Sequence, residues 1–386
     1  MKIRLERDVM AEAVAWAARS LPSRPSVPIL AGLMIKADVN GVSMSSFDYE
    51  TSARVQVAAD VMDEGEALVS GRLLADIAKS LPNRPVDFSS DAIRAELVCG
   101  PARFTLQMLP VSDYPTLPEM PTATGEVASD VLAHAIGQVV VAAGRDELLP
   151  VFTGVRLEIN GDNLSLLATD RYRMALKELA WRPASSGAEG AALVPARVLS
   201  EAARSMAGGE TVTLALSNTG IGEGLIGLEG AGAGTTRQLT TRLLGGEFPK
   251  VRHLMDIRPN VAVRCKTDEI MASVKRVSLV AERNSPLRML ISDEQIALEA
   301  ASGDQAQASE AVSAQVENVA GGELAITAAG FNPHYLSDAL TAVDTPYVHF
   351  SFTAPGKPCL VQGLDEIDGD PKDDYKHVIM LMRLPQ

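Results

Sequence analysis

One pattern of segments occurs three times in this chain, and that recurrence restricts its possible folds more than any single motif does. KIRLERDVMAEAVAWAARS is followed by PILAGLMIKADVNGVSMSSFDYETSARVQV. GEVASDVLAHAIGQVVVAAGR is followed by PVFTGVRLEINGDNLSLLATDRYRMALKEL, and NVAVRCKTDEIMASVKRVSLVAER by SPLRMLISDEQIALEAASGDQAQASEAVSAQV. Each begins with a short alternating strand and a helix led by an aspartate, Asp8, Asp130 or Asp268. An aspartate there can cap the free amides of the first turn and complement the helix dipole. Each then continues as strand, tight turn, strand and strand, with turns expected at Asn40-Gly41, Asn160-Gly161 and Asp293-Glu294. Asn-Gly between alternating apolar runs is a strong hairpin signal.

The second halves repeat as well. EALVSGRLLADIAKSL, AALVPARVLSEAARSM and ELAITAAGFNPHYLSDALTAV each read as a strand followed by an amphipathic helix, and three strands follow each of them, as in VDFSSD, IRAELVCG and ARFTLQML. The pattern βαβββ therefore appears twice per unit and six times in the chain. A period of about 125 residues is too long for a solenoid repeat. It fits an α+β fold of three tandem copies of one domain, residues 1–122, 123–256 and 257–386, each with its helix pair on a sheet.

Composition narrows the functional classes. With 46% hydrophobic and 22% charged residues the chain can bury several cores, and its 4% aromatics mean that Ala, Val, Leu, Ile and Met must fill them. The longest apolar runs, such as 136–144, fall well short of the roughly 18 residues of a membrane span. Met1 leads directly into a charged, alternating stretch instead of a signal sequence, so a cytoplasmic chain is expected. Cys99, Cys265 and Cys359 are far apart and odd in number, which reads as buried thiols in a reducing compartment. The net charge of −14 opposes ordinary attraction to a phosphate backbone. A nucleic-acid partner would have to be held by a local basic surface or by topology.

Catalytic and metal motifs fail on inspection. Gly230, Gly232 and Gly234 spell GAGAG, but the strand-like TTRQLTTRL follows where a dinucleotide fingerprint needs a helix, so a hairpin turn is expected. The cluster Asp368, Asp370, Asp373 and Asp374 has Asp373 where a calcium loop needs Gly and Ile379 where it needs Glu; it reads as a solvated acidic loop. His134, His253, His334, His349 and His377 lack metal-ligand spacing. A hydrolase or lyase on a repeated scaffold remains the rival from another class, and no convincing acid/base pair supports it. No cofactor is expected.

Four local sequences in order carry a family resemblance that covers the whole chain. SLPSRPSVPILAGLMIKA, ATDRYRMAL (168–176), GGEFPKV and the terminal VIMLMRL look like, respectively, the first loop and strand, the ATDGHRLA signature, the G-R-F-P-D-Y segment and the V-V-M-P-M-R-L tail of bacterial DNA polymerase III β subunits, the β sliding clamps. Arg171 for Gly, Tyr172 for His and a tail extended by Pro385-Gln386 resemble the actinobacterial type. The resemblance implies a non-catalytic processivity subunit for DNA replication, a head-to-tail homodimer closing into a ring around duplex DNA. Its implied partners are the replicative polymerase's catalytic subunit, the clamp loader and repair or translesion polymerases, with no membrane association.

The resemblance also implies three sets of residues. For sequence-independent DNA contact Arg24 and Arg72 match positions the family uses, and the candidate lumen helices add Lys79, Arg197, Arg204, Lys275 and Arg276, with Arg283 nearby; a solvated helix face is the alternative for each. Closure falls to Phe104 and Leu106 on an edge strand facing Leu279 and Val280, which could equally be intradomain core. A pocket for linear peptides falls to Phe152, Thr169, Arg171, Tyr172, Arg173, Met174, Pro249, His253, Leu254, Pro358, Val378, Ile379, Met380, Leu381, Met382, Arg383 and Leu384. There Met and Leu would form an adaptable apolar slot, and Arg173 and Arg383 would bond peptide carbonyls. Without the resemblance, the terminal strand reads as core. Leu381 and His253 stand where the family commonly has Pro and Arg, which implies altered peptide preference, as in a duplicate clamp tolerant of a pocket inhibitor.

Overall fold

The computed structural model describes residues 1–218, 224–232, 234–282, 285–303 and 305–384. Among them are six α-helices: α1 (Arg7–Ala17), α2 (Gly71–Ser80), α3 (Ser129–Val140), α4 (Ala196–Met206), α5 (Thr267–Val277) and α6 (Pro333–Val343). Each follows a strand and precedes a run of antiparallel strands, so the sixfold βαβββ pattern is present in the coordinates. The helices form because their apolar residues recur every three or four positions. α1 buries Met10, Ala13, Val14 and Ala17, and α6 buries Leu336, Ala339, Leu340 and Val343. α2 (Leu74, Ile77, Ala78) packs on α1, and α5 (Ile270, Val274, Val277) packs on α6.

The helix starts match expectation in part. α1 and α5 have Glu6 and Lys266 at the cap, with no side-chain cap, and the aspartates stand inside the first turn. Asp130 and Asp268 accept from the amides of Val131 and Glu269 at 2.8 Å, while Asp8 accepts from Arg7 Nη1 at 2.7 Å. Asp130 and Asp268 thus each take a first-turn amide, as expected, and all three aspartates place negative charge at the positive end of the helix dipole. All three hairpins form, two of them one residue away from the expected turn. Asp38 pairs with Gly41, so the first loop is Val39-Asn40 and Gly41, at φ 115°, opens the next strand. Gly161-Asp162 and Asp293-Glu294 fill the other two loops.

By its internal packing the chain forms two compact units. The first comprises residues 1–133, 181–194 and 198–244, and the second 134–180, 195–197 and 245–386. The reason is that strand pairing runs across repeat boundaries. In the first unit Thr235–Arg242 of the second repeat pairs with Thr51–Val57 of the first. In the second unit Tyr375–Ile379 of the third repeat pairs with Arg173–Ala180 of the second. Each unit is thus built on a sheet that borrows strands from two repeats, and its core is mostly aliphatic. The exception is the third repeat, where Phe331, Phe350 and Phe352 are fully buried with ring centroids 6.3 to 6.4 Å apart. Cys99, Cys265 and Cys359 are buried free thiols, as expected. Of the GAGAG segment, Gly230 and Gly232 end a strand in which Gly232 pairs with Thr235, and Gly234 lies in a turn at φ 76°; Ala233 lies outside the described residues.

Candidate functional site

Within the second unit a cavity of about 520 Å³ opens beside the turn that links Asn163–Thr169 to Arg173–Ala180. Local chemistry fixes that turn. Asp170 Oδ1 accepts from the amides of Tyr172 and Arg173, both at 3.0 Å, and Thr169 Oγ1 accepts from the amide of Arg171 at 3.2 Å. Arg171 is thereby held at φ 81°, a left-handed conformation uncommon for any residue but glycine. The tail is tied to the same turn, since the Met380 amide donates to Tyr172 O at 2.8 Å. Beyond it, the Met382 amide donates to Gly330 O at 2.8 Å; a side chain at Gly330 would meet Met382 O at 2.7 Å.

The opposite wall is the first turns of α6. Asn332 caps that helix by accepting from the amides of His334 and Tyr335, and Pro333 fixes its first φ. This aims Tyr335 and Asp338 at the turn. Arg173 joins the two walls: its Nε donates to Asp170 Oδ2 at 3.0 Å, its Nη1 bonds Asp338 Oδ2, and its guanidinium lies 4.3 Å from the Tyr335 ring centroid. Burial, followed by the neighbouring Asp170 charge, raises the Tyr335 phenol above its ordinary pKa. Phe152 is set by a short 3-10 turn whose amide donates to Leu149 O at 3.0 Å, and its own carbonyl accepts from Gly144 at 2.7 Å.

The cavity wall therefore gathers four of the residues expected from sequence, Phe152, Arg171, Tyr172 and Arg173, with Arg145, Leu149, Tyr335 and Asp338, which the sequence reading missed. The remaining expected residues lie elsewhere. Thr169, Met174, Val378 and Ile379 are at most 2% exposed; they are sheet core beneath the surface and do not line the cavity. Arg173 has its Nε and Nη1 engaged by two carboxylates, so it braces the pocket wall. Pro249, His253 and Leu254 lie on a segment packed along the terminal strand, held there by Arg252, which bonds Glu178 at 2.7 Å and Glu158 at 3.1 Å. His253 is exposed. Pro358 is half-buried before the strand Cys359–Leu364, while Met380, Leu381, Met382 and Leu384 are half-buried and Arg383 is exposed.

The two other expected surfaces fare unevenly. Arg24, Arg72, Lys79, Arg197, Arg204 and Lys275 are exposed, and Arg72 donates to Pro22 O at 3.0 Å, tying α2 to the loop that carries Arg24. Arg276 is exposed as well, but its Nε donates to Glu310 at 2.9 Å, so much of its charge is answered within the chain. Arg283 lies outside the described residues. Phe104 sits half-buried on Ala102–Gln107, the edge of a five-stranded sheet. Leu106 on the same strand is 4% exposed and belongs to its own core; Leu279 is 84% exposed and Val280 half-buried. A second open edge, Ala306–Ser313, borders the four-stranded sheet of the other unit. Among the described residues no cluster of metal-ligating side chains occurs, and no helix is long and apolar enough to cross a membrane.

Comparison with known proteins gives a consistent result. The N-terminal, central and C-terminal domain models of the DNA polymerase III beta subunit match residues 1–118, 126–250 and 258–383. The chain is 52% identical to the beta sliding clamp of Streptomyces coelicolor over 100% of both chains, and 39% identical to the beta sliding clamp homologue GriR of Streptomyces muensis over 99% of both. The crystal structure of a Pseudomonas aeruginosa sliding clamp bound to griselimycin superposes with a TM-score of 0.87 and 25% identity, covering 100% of each chain.

Proposed function

This chain belongs to the DNA polymerase III beta-subunit family, and from that premise we propose that it is a DNA sliding clamp whose homodimer closes into a ring around duplex DNA. The observation that carries this reading is the succession of three matched domains over a chain whose βαβββ unit recurs six times. Boundaries at 1–122, 123–256 and 257–386 follow the same repeat. Closure joins two exposed strand edges, Ala102–Gln107 of one subunit and Ala306–Ser313 of the next, with Phe104, Leu279 and Val280 beside the seam.

A ring needs no chemistry. It holds its thread by topology, so a net charge of −14 is tolerable, and the exposed Arg24, Arg72, Lys79, Arg197, Arg204 and Lys275 need only brief, water-mediated contact with phosphates. The protein acts in the cytoplasm, bound to no cofactor, and is opened by a loader that supplies the ATP. The cavity beside Phe152, Arg171 and Tyr172, with the apolar tail next to it, receives linear segments of the replicative polymerase, the loader and repair polymerases. Two such sites per ring hold two clients at once and raise their local concentration. Leu381 and His253 retune this surface, which fits a duplicate clamp with altered tolerance of a pocket ligand.

Topological retention tests the ring directly. Protein loaded on a nicked circular plasmid is expected to co-elute with it and to be released when the circle is cut once. Retention that persists on the linear product would show adhesion by charge and overturn the reading. For closure, sizing chromatography of Leu279→Lys is expected to give monomers, and an undisturbed dimer would place the seam elsewhere.

A further inference from the structure

We propose that the cleft between the start of α5 and the end of α6 is a second docking surface, which takes a basic linear segment of a partner protein, an arginine followed by an apolar residue. This goes beyond the reading above and concerns a different part of the second unit.

The cleft has a volume of about 810 Å³. It opens at the far end of α6 from the first cavity, about 15 Å along the helix axis. The amide of Thr267, the first residue of α5, donates to Pro346 O at 3.0 Å, which draws the start of one helix against the chain leaving the other. Each helix end contributes one exposed carboxylate, Asp268 and Asp344, and among the described residues neither is paired with a lysine or arginine. Asp344 has only His134 Nδ1, at 3.8 Å. Lys266, the cation in the wall, is taken by Glu269 at 2.9 Å. The last turn of α6 carries no basic residue, so the negative end of its dipole adds to the two carboxylates. A phosphate is repelled here and a cation is drawn in.

The rest of the wall says what kind of cation. Met271, Pro346 and Tyr347 give it an apolar side, and the cleft is far larger than a bare ammonium ion needs. The aliphatic stem of an arginine and a following apolar side chain can lie on these groups while the charged head stays among the carboxylates. Thr267, in the same wall, is 6% exposed, and among the described residues its Oγ1 has no hydrogen-bond partner. A guanidinium has five N–H donors, enough for the carboxylates and this hydroxyl together.

The test uses full-length protein and two fluorescent hexapeptides, one with arginine before leucine and one with glutamine in its place. Wild type is expected to bind the arginine peptide roughly tenfold tighter, the scale of two partly solvated ion pairs. High salt should shrink that preference. Asparagine at Asp268 can still accept from the Glu269 amide, and at Asp344 it tolerates the φ of 49°. Asp268→Asn and Asp344→Asn are therefore expected to melt like wild type, and each to cut the preference roughly threefold. Thr267→Val separates binding from structure: its melting temperature should hold or rise, because an unpaired hydroxyl is removed, while affinity for the arginine peptide falls. A linear peptide filling the first cavity should leave the arginine peptide bound. Wild type that binds neither peptide, a ratio near one, or a ratio unchanged in both asparagine variants would overturn the proposal, and so would displacement by the first-cavity peptide. Spermidine binding as tightly as the arginine peptide would also overturn it, by showing an adventitious cation site.

Discussion

Two turns in this molecule share one backbone and differ in what they do. In the first repeat, Asp48 Oδ1 accepts from the amides of Glu50 and Thr51, Tyr49 is held at φ 75°, and Glu50 O accepts from the Arg242 amide at 2.9 Å. In the second, Asp170 Oδ1 accepts from Tyr172 and Arg173, Arg171 is held at φ 81°, and Tyr172 O accepts from the Met380 amide at 2.8 Å. Even the neighbouring strands correspond, Thr235–Arg242 in one case and Tyr375–Ile379 in the other. At the corresponding place in the third repeat, Gly303 sits at φ 48°. The divergence begins at the fourth residue of the turn. Thr51 meets Thr241 through hydroxyls 3.1 Å apart, whereas Arg173 reaches two carboxylates and an aromatic ring and so builds a wall. The repeat supplies a strained, well-fixed turn, and side chains alone distinguish the copy proposed as a docking site.

Removing the shared aspartate should separate the two copies most strongly. Asp170→Ala deletes the turn cap and also leaves the buried Arg173 half-paired, so a loss of about 2–3 kcal/mol in unfolding free energy is expected, with peptide affinity falling more than roughly tenfold. Asp48→Ala loses only the cap, about 1 kcal/mol, and should leave peptide binding untouched. Equal losses in denaturant titrations of the two variants would break the comparison.

Acid should act next, and unequally. Tyr375–Ile379 carries His377, fully buried and bonded through Nδ1 to Tyr375 OH at 2.8 Å, while Thr235–Arg242 has no histidine. Burial, then the nearby Arg173 charge, depresses His377 to about 3, and burial, then Arg264, depresses His349 to about 4. Both are neutral in the fold and protonate more readily when unfolded. Their stabilisation is therefore full above about 6.5 and is lost as pH falls towards 3 to 4. Hydrogen exchange between pH 7 and 5 should show Tyr375–Ile379 loosening before Thr235–Arg242, and His377→Asn should flatten the trend; uniform loosening would show that acid acts elsewhere.

Smaller effects sharpen the contrast. Tyr335→Leu removes the ring beneath Arg173 and is expected to weaken peptide binding about fivefold in fluorescence titrations, on the scale of one cation–π contact. Tyr49→Gly and Arg171→Gly should each raise stability by about 0.5 kcal/mol, because relief of the left-handed strain slightly exceeds the entropy cost of glycine. If only one of them stabilises, the two backbones are less alike than their dihedral angles indicate.

Much of this architecture was legible in the sequence. Six helix periods, three hairpin signals and the break in pattern after each repeat are local, and local signals survive into the fold. What escaped was set by distance along the chain. Arg173 reads as a free donor until Asp338, 165 residues away, is brought against it. Tyr335 and Asp338 carry no motif; only the Asn332-Pro333 cap, which fixes where α6 begins, hints at their direction. Family position implies Leu106, Met174, Val378 and Ile379 for the two surfaces, whereas the alternation of their strands places them in the core. The two compact units were invisible for the same reason, since nothing local announces that Thr235–Arg242 will pair with Thr51–Val57.

Hydrogen exchange of the full chain with and without a saturating linear peptide from the replicative polymerase tests the central claim most directly. Protection confined to 143–149, 170–173 and 334–338, with 48–51 unchanged, is the expected footprint. Protection at both turns, or at the first alone, would contradict the view that side chains on one copy of a repeated turn create the site.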